Sequence, residues 1–544
     1  MSRPAKGFQC LTVTKATSPG TAKGPQRVGQ NKPPAAGWPG RLGLAPLVAV
    51  VLALASRAGG AEGQLEIRVV DKDTGRPVPC RMHLRTAGGR PRLPPRRVPV
   101  WDDHFVIPGQ IALKLPVGNY TFVMERGPEY SIVTGQFTIN KFSEDTKTVE
   151  MHRYVDMAAE GWWSGDLDVR RPAKDIELLL AAEDLHVIPL VTWWNGHTVW
   201  TPNTVPADPL AVFAENRVGH LLAGEISRPG GTVRLFHLAQ IPVFPAKAPG
   251  ASLLAHLEPL RQKPGVWVHL TRPYWWDLPV LVALGQLDSI EVIHGQFGRT
   301  KMIADERGGK SRDPERLVGG RGHALWSQEI YFHLLNCGLR IPPGAGSGSG
   351  VGPNPPGYNR MYVHIDGDFS WEKWWEGFRA GRVTLTNGPL LRPKVRGKLP
   401  GHVFRAPAGQ ILDFEIALTL STRETMSYLE IIKDGRVEHE IRFDQYAAKG
   451  RLPPVRFDRS GWFTVRAVAD RADTYRFALS APFFVEMGGQ RRISRRSAEF
   501  FRDWVIQRAA QIQSDDPTDQ QHTVACYRQA RDFWQDLVAK ANAE

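Results

Sequence analysis

The sequence predicts a multidomain α and β protein. An N-terminal β-sandwich leads into a central α/β barrel, followed by a second β-sandwich-like domain and a helical tail. Three observations predict this. The chain has 544 residues, too many for one ordinary core. Period-2 apolar alternation dominates 63–155 and 396–487. Between them, 156–392 alternates short, wholly apolar strands with helical stretches, a pattern of strands buried on both faces.

Residues 1–61 hold eight Lys or Arg and no Asp or Glu, and an apolar run from Leu42 to Ala55 precedes Ala58-Gly-Gly-Ala61. The run has the length of a secretory core and is short for a membrane span. This segment is expected to be a leader, with the mature chain exported; the alternative is an uncleaved membrane anchor. Without it the formal charge falls from +14 to +6, spread among acids, which argues against nucleic acid as a partner. Cys80, Cys337 and Cys526 remain, widely spaced, with no disulfide framework or zinc-finger pattern.

In 63–155, Leu65, Ile67 and Val69 alternate with polar residues, Asp71-Lys-Asp-Thr-Gly75 turns, and Ile111, Leu113 and Leu115 alternate again before Tyr120, Phe122 and Met124. A small antiparallel sandwich is expected. In the centre, Gly161-Trp-Trp-Ser-Gly-Asp-Leu-Asp-Val-Arg170 reads as a strand running into a loop, with a helix from about Pro172 to His186 and a second strand, Val187-Ile-Pro-Leu-Val191, ending in Thr192-Trp-Trp-Asn195. Further strands end in Glu225, His269 and His294. Helices are expected over Pro279 to Gly285, Ser327 to Cys337 and Ser370 to Ala380, the last capped by Ser370. In 396–487, Asp434-Gly435 signals a hairpin. Over 490–544, two amphipathic stretches carrying Trp504 and Trp534 predict a helical hairpin packed on the body.

Polar residues at strand ends of a βαβ unit are where α/β enzymes keep their chemistry. Several stretches, in chain order, resemble one family: Ser164-Gly-Asp-Leu167, Ala182-Glu-Asp-Leu-His-Val187, Gly224-Glu225, Asp288-Ser-Ile-Glu-Val292 and Ala380-Gly-Arg-Val-Thr-Leu-Thr-Asn-Gly-Pro389. Over 156–392 the chain resembles the polymerase-and-histidinol-phosphatase (PHP) superfamily, in its CehA/McbA-type branch of secreted metallohydrolase-like proteins. Residues 63–155, with Leu115-Pro-Val-Gly-Asn-Tyr120, resemble carboxypeptidase regulatory-like domains. The resemblance implies a distorted (β/α)7 barrel and metal-assisted hydrolysis at its C-terminal mouth.

The family's metal residues carry over incompletely. Its His-x-His is Asp168 and Arg170 here, and its Asp-His is Trp193 and Trp194, with Asn195 kept. Its Glu matches Glu225 and a later His matches His269, while the Gly-Ser run at 347–350 stands where a Ser-Asp-x-His is expected. Tryptophan ligates no metal and Arg170 repels one. The expectation is therefore a degenerate metallohydrolase. If it is active, one divalent ion (zinc, manganese or iron) sits on Glu225, His269 and Asp168 and activates water. Glu225 also reads as a salt-bridge partner, the reading preferred over ligand or general base, and Arg170 is expected to supply the lost metal's charge by pairing with Glu225 or Asp168.

The competing expectation is a non-catalytic protein that binds a carbohydrate or anionic small molecule at the same mouth. Twelve of the 17 tryptophans lie between Trp162 and Trp375. Trp193, Trp194 and Trp275, with Asn195 and His294, are the candidate binding residues, most other tryptophans being core. A structural surface protein held together by its β modules is the third reading.

Overall fold

The computed structural model describes residues 61–95, 97–242, 252–513 and 516–544. The leader expected over 1–61 and its apolar run lie, apart from Ala61, outside the described residues. Among the described residues no helix is long and apolar enough to cross a membrane. The protein is a mixed α/β multidomain chain with β-sandwich-like modules, one large mixed sheet and C-terminal helices.

The first module packs a three-stranded sheet on a five-stranded one. In the former, Glu62–Asp71 lies between Gln110–Pro116 and Glu144–Met151; in the latter, Cys80–Thr86 lies between His104–Ile107 and Gly118–Glu125. Leu65, Ile67, Val69, Leu113 and Leu115 point into its core, as period-2 alternation requires. One pairing departs from the antiparallel expectation: Glu62–Asp71 runs parallel to Glu144–Met151. The preceding strand, Val133–Ile139, belongs to the opposite sheet, so the chain changes sheets before 144–151 and joins in the parallel sense.

The central sheet closes on itself. Trp162–Gly165 and its extension to 170 stand beside Val187–Trp194, then Arg217–Arg228, Gly231–Phe236, Trp267–Leu270, Ser289–Ile293 and Pro343–Ala345. The ring is completed where the Leu167 N–H donates to the Ala345 carbonyl (3.1 Å) and the Arg170 N–H to the Ser349 carbonyl (2.7 Å). Gly231–Phe236 is antiparallel to both neighbours; the other members run parallel across it. Its reversal comes from the hairpin at Pro229-Gly-Gly231, where Gly230 has φ 118° and a Cβ would overlap the Asp277 carboxylate.

The helix expected from Pro172 to His186 is only Ile176–Ala182 after one 3-10 turn, whereas the one expected from Ser327 begins earlier and spans Gly319–Asn336. Trp371–Arg379 is capped by Ser370, whose side chain accepts from the Lys373 N–H.

The sheet does not stop at the predicted boundary near 392–396. Val383–Thr386 pairs with Phe477–Ser480, so the barrel region and the second β module share a sheet; Trp462, Val468, Phe477 and Leu479 of that module join the barrel region's core, and a second core gathers Phe414, Phe463 and Val465. Asp434 and Gly435 (φ 49° and 83°) form the two-residue hairpin turn between Met426–Lys433 and Arg436–Arg442. The tail helices, Arg495–Ala509 and Pro517–Ala539, bury Phe501, Trp504 and Trp534; the Trp534 indole N–H donates to the Pro279 carbonyl (3.0 Å).

Paired charges join the first module to the rest. Arg81 is held between Glu125 (3.2 Å) and Glu183 (2.5 Å), Arg153 between Glu129 (2.9 Å) and Asp184 (2.6 Å), and Arg423 of the second β module reaches Glu125 (2.7 Å). Trp101 donates to the Gly352 carbonyl (2.8 Å) in the loop that follows the ring's last strand. The module is thus seated on the barrel region by buried polar contacts and is no loose spacer.

Candidate functional site

Asp166 organises the start of the site. Its buried carboxylate accepts from the backbone N–H groups of Asp168 (2.9 Å), Ser347 (2.9 Å) and Gly357 (2.6 Å). It thereby ties the Gly-Ser run to the first ring strand. Burial pushes its pKa up to about 6, with those hydrogen bonds acting in opposition.

Asp168 faces the ring interior and meets a residue that the sequence reading did not single out, Arg234. The Arg234 guanidinium pairs with Asp168 (2.5 Å) and Glu291, and its Nε lies 3.5 Å from Glu225. Strand register explains the convergence. Glu225, Arg234, His269 and Ser289 are successive cross-strand neighbours on four adjacent strands, and Glu291 lies two residues beyond Ser289 on the same face. Two glycines leave room for these groups. A Cβ on Gly344 would sit 2.8 Å from the His269 ring, and one on Gly346 would sit 2.6 Å from the Asp168 Cβ and 2.8 Å from a Glu291 oxygen. Arg170, nearer solvent, pairs with Glu225 and lies 3.9 Å from Asp168.

Burial works against the Arg234 charge, but Asp168, Glu291 and Glu225 outweigh it and its pKa is raised. Glu291 has no exposed surface; burial lifts its pKa well above the carboxylate range and Arg234 pulls the other way. Burial, with Arg234 beside it, drives the His269 pKa far down, so this imidazole is neutral. The Trp267 indole N–H donates to Ser289 Oγ (2.7 Å), which lies 2.7 Å from His269 Nδ1, while His269 Nε2 lies 3.1 Å from Glu291. The tautomer that serves all four groups accepts at Nδ1 from the Ser289 hydroxyl and donates from Nε2 to Glu291. Both ring nitrogens are then engaged.

This arrangement corrects the predicted metal set. Asp168, Glu225 and His269 do not bring one ligand atom each within 4.8 Å of one another; among the described residues the groups that do are His83/Asp103/His104 and Glu258/His522/Cys526. Asp168 and Glu225 are turned to guanidinium groups and His269 to Glu291. The residues therefore do not fit a divalent ion there: the cation's neighbours are already served by Arg234 and Arg170. The His83 cluster is similarly crowded, since Arg81 donates to His83 and both Arg85 and Arg299 pair with Asp103.

The candidate binding residues separate in the same way. Trp193 is 1% exposed, and its indole covers Gly224 on the adjacent strand, where a Cβ would overlap it. It is core, contrary to expectation: in register with Gly224 it takes the face away from Glu225, whereas Trp194, in register with Glu225, takes the other. His294 is also buried; its Nε2 lies 3.1 Å from Ser327 Oγ of the long helix, which turns it away from the mouth. Asn195 (φ 49°) is exposed but anchors a turn, its side-chain oxygen accepting from the Ser227 N–H and Arg228, both at 2.8 Å. Trp194 is half-buried at a strand end; Trp275, contrary to expectation, is half-buried in the turn between Leu270 and the helix Leu278–Ala283, its N–H donating to Thr271 Oγ1 (2.8 Å) and the Arg272 guanidinium 5.0 Å from its ring centre. The available signal for the missed Arg234 and Glu291 is that each is the one charged residue in a strand that is otherwise uncharged and buried, Gly231–Phe236 and Ser289–Ile293.

No family model matches this chain, and no curated protein does. Solved structures give partial likenesses to β-sandwich modules. A minor pilin of Streptococcus agalactiae is 24% identical over 18% of this chain and 47% of its own, with TM-score 0.16. The Bacillus anthracis TIE protein is 22% identical over 21% of this chain and 20% of its own, with TM-score 0.14. The fibronectin(III)-like modules of Clostridium thermocellum CbhA are 16% identical over 18% of this chain and 97% of their own, with TM-score 0.13. The chain thus spans about half the length of the pilin and a fifth of the TIE protein, and likenesses at these scores carry no functional argument.

Proposed function

We propose that the central ring is a distorted (β/α)7 barrel of the PHP type in which arginine has replaced the metal, and that the exported protein binds a ligand without hydrolysing it. The supporting observation is the single guanidinium of Arg234 set among Asp168, Glu225 and Glu291. A hydrolase of this class needs a metal to lower the pKa of water and to polarise the scissile bond. A guanidinium can stabilise an anion but does not supply a bound hydroxide. Arg170, whose side chain is 20% exposed, is the part of this cluster that solvent reaches. With the half-buried Trp194 and Trp275 it offers a guanidinium and aromatic faces, groups that suit a carbohydrate carrying a carboxylate or a comparable anion.

The test is metal loading of the full chain. After incubation with zinc, manganese or iron(II) and desalting, bound metal is quantified in the wild type and in Asp168→Asn. The expected content is the same in both. A stoichiometric metal lost on Asp168→Asn would overturn the reading and restore the one-ion hydrolase.

A further inference from the structure

A different cluster has the donor set that the barrel interior lacks. His522 and Cys526 stand four residues apart on the tail helix Pro517–Ala539 and so share one face. Glu258, on the body helix Leu253–Arg261, meets them there. His522 Nε2 lies 3.0 Å from Glu258 Oε1 and 3.8 Å from Cys526 Sγ, and one ligand atom from each of the three residues lies within 4.8 Å of the others.

We propose that Glu258, His522 and Cys526 bind a zinc-class divalent ion that clasps the tail helix to the body. This site goes beyond the barrel reading and does not depend on it. Thiolate, imidazole and carboxylate together are a zinc donor set. Tetrahedral ligands at usual zinc distances stand roughly 3.3–3.6 Å apart, so side-chain adjustments of a few tenths of an ångström would bring His522 into register with both partners. The Glu258 and His522 side chains are 44% and 37% exposed, which leaves the fourth position open to water.

The cluster is held in place by contacts that no metal is needed to make. Asp519, one turn before His522, is buried and accepts from the Ser252 N–H (3.2 Å) and hydroxyl (3.0 Å) at the start of the body helix. Tyr527, next to Cys526, donates to Asp277 (2.6 Å). The tail helix is thus fixed on both sides of the ligand face, to Ser252 at the start of the body helix and to Asp277 ahead of Leu278–Ala283, and the ion would find its ligands already gathered. Binding converts the Cys526 thiol to a thiolate and releases its proton to solvent, so affinity rises with pH.

Cobalt(II) reports the site directly. The full chain, reduced and stripped with a chelator, is titrated with cobalt(II) and then with zinc. The expected result is one equivalent bound, a thiolate-to-cobalt band in the near ultraviolet, loss of that band as zinc displaces cobalt, and a higher Tm with zinc. Cys526→Ser is expected to remove the band and weaken zinc binding at least tenfold while its circular dichroism matches the wild type, and His522→Gln to weaken it similarly. A titration without the thiolate band, or equal zinc affinity in wild type and Cys526→Ser, would overturn the proposal. Metal in the barrel would give no thiolate band and would survive Cys526→Ser, so the two readings fail separately.

Discussion

At the scale of single residues, the Arg234 cluster makes the sharpest statement. Removing one partner of a buried charge set leaves the others desolvated and unpaired. Arg234→Met is therefore expected to destabilise the fold by about 3–5 kcal/mol, read from the urea midpoint. Arg170→Met, whose pair with Glu225 is partly open to solvent, is expected to cost about 1 kcal/mol or less. Equal costs would mean that Arg234 is not the hub. The two arginines also differ in how they can be read. Arg170 follows a quotable stretch and stands where a metal ligand is expected, so its departure from pattern draws attention. Arg234 lies in a strand that no motif marks, and two of its three partners, Asp168 and Glu291, are more than fifty residues away along the chain. Nothing local in Thr232-Val-Arg234 says what the guanidinium will meet.

Elements were legible where a local rule fixes them. Ser370 caps its helix as its place before Trp371 predicts, so Ser370→Ala is expected to cost about 1 kcal/mol of stability in thermal or urea unfolding. A change within a few tenths of zero would mean that packing of Trp371, Trp374 and Trp375 alone holds that helix. The Asp434-Gly435 turn was legible for the same kind of reason, since two consecutive positive φ values favour those residue types. The short helix Phe443–Lys449 was not read, nor was the orientation of Gly231–Phe236. An apolar strand carries no mark of its direction; that is set by the hairpin before it and by which edge of the sheet remains open. Trp193 and Trp194 were a face assignment within one strand, and a one-residue choice of face interchanges core and surface.

On the scale of the whole molecule, titration is spread across the fold and its net direction can be worked out. Burial lowers the pKa of His104 and His186 to about 3, and of His220, His237 and His333 to about 4. Each protonates more readily in the unfolded chain, near 6.5, than in the fold. Its stabilising contribution is complete above pH 6.5 and drains away as pH falls toward 4 and 3. Asp166 and Glu129, raised by burial to about 6 and about 7, act in the opposite sense and lose stability as pH rises through those values. Buried imidazoles shifted down, His269 and His294 among them, outnumber the carboxyls that burial raises, Glu291 included, so Tm is expected to fall from pH 7 to 4.5, and a flat or rising profile would contradict the burial of these rings. Domain order could be read from texture, but the junctions could not, because the acids and arginines that join the first module to the rest lie among ordinary surface-type residues in the sequence. The guanidinium of Arg81 gripping Glu183, and those of Arg153 and Arg423 gripping Asp184 and Glu125, have a historical implication. A sandwich borrowed from another protein would have to supply guanidinium groups for Glu183 and Asp184 and a carboxylate for Arg423 at the same places, so a substitution on one side of that seam is felt on the other.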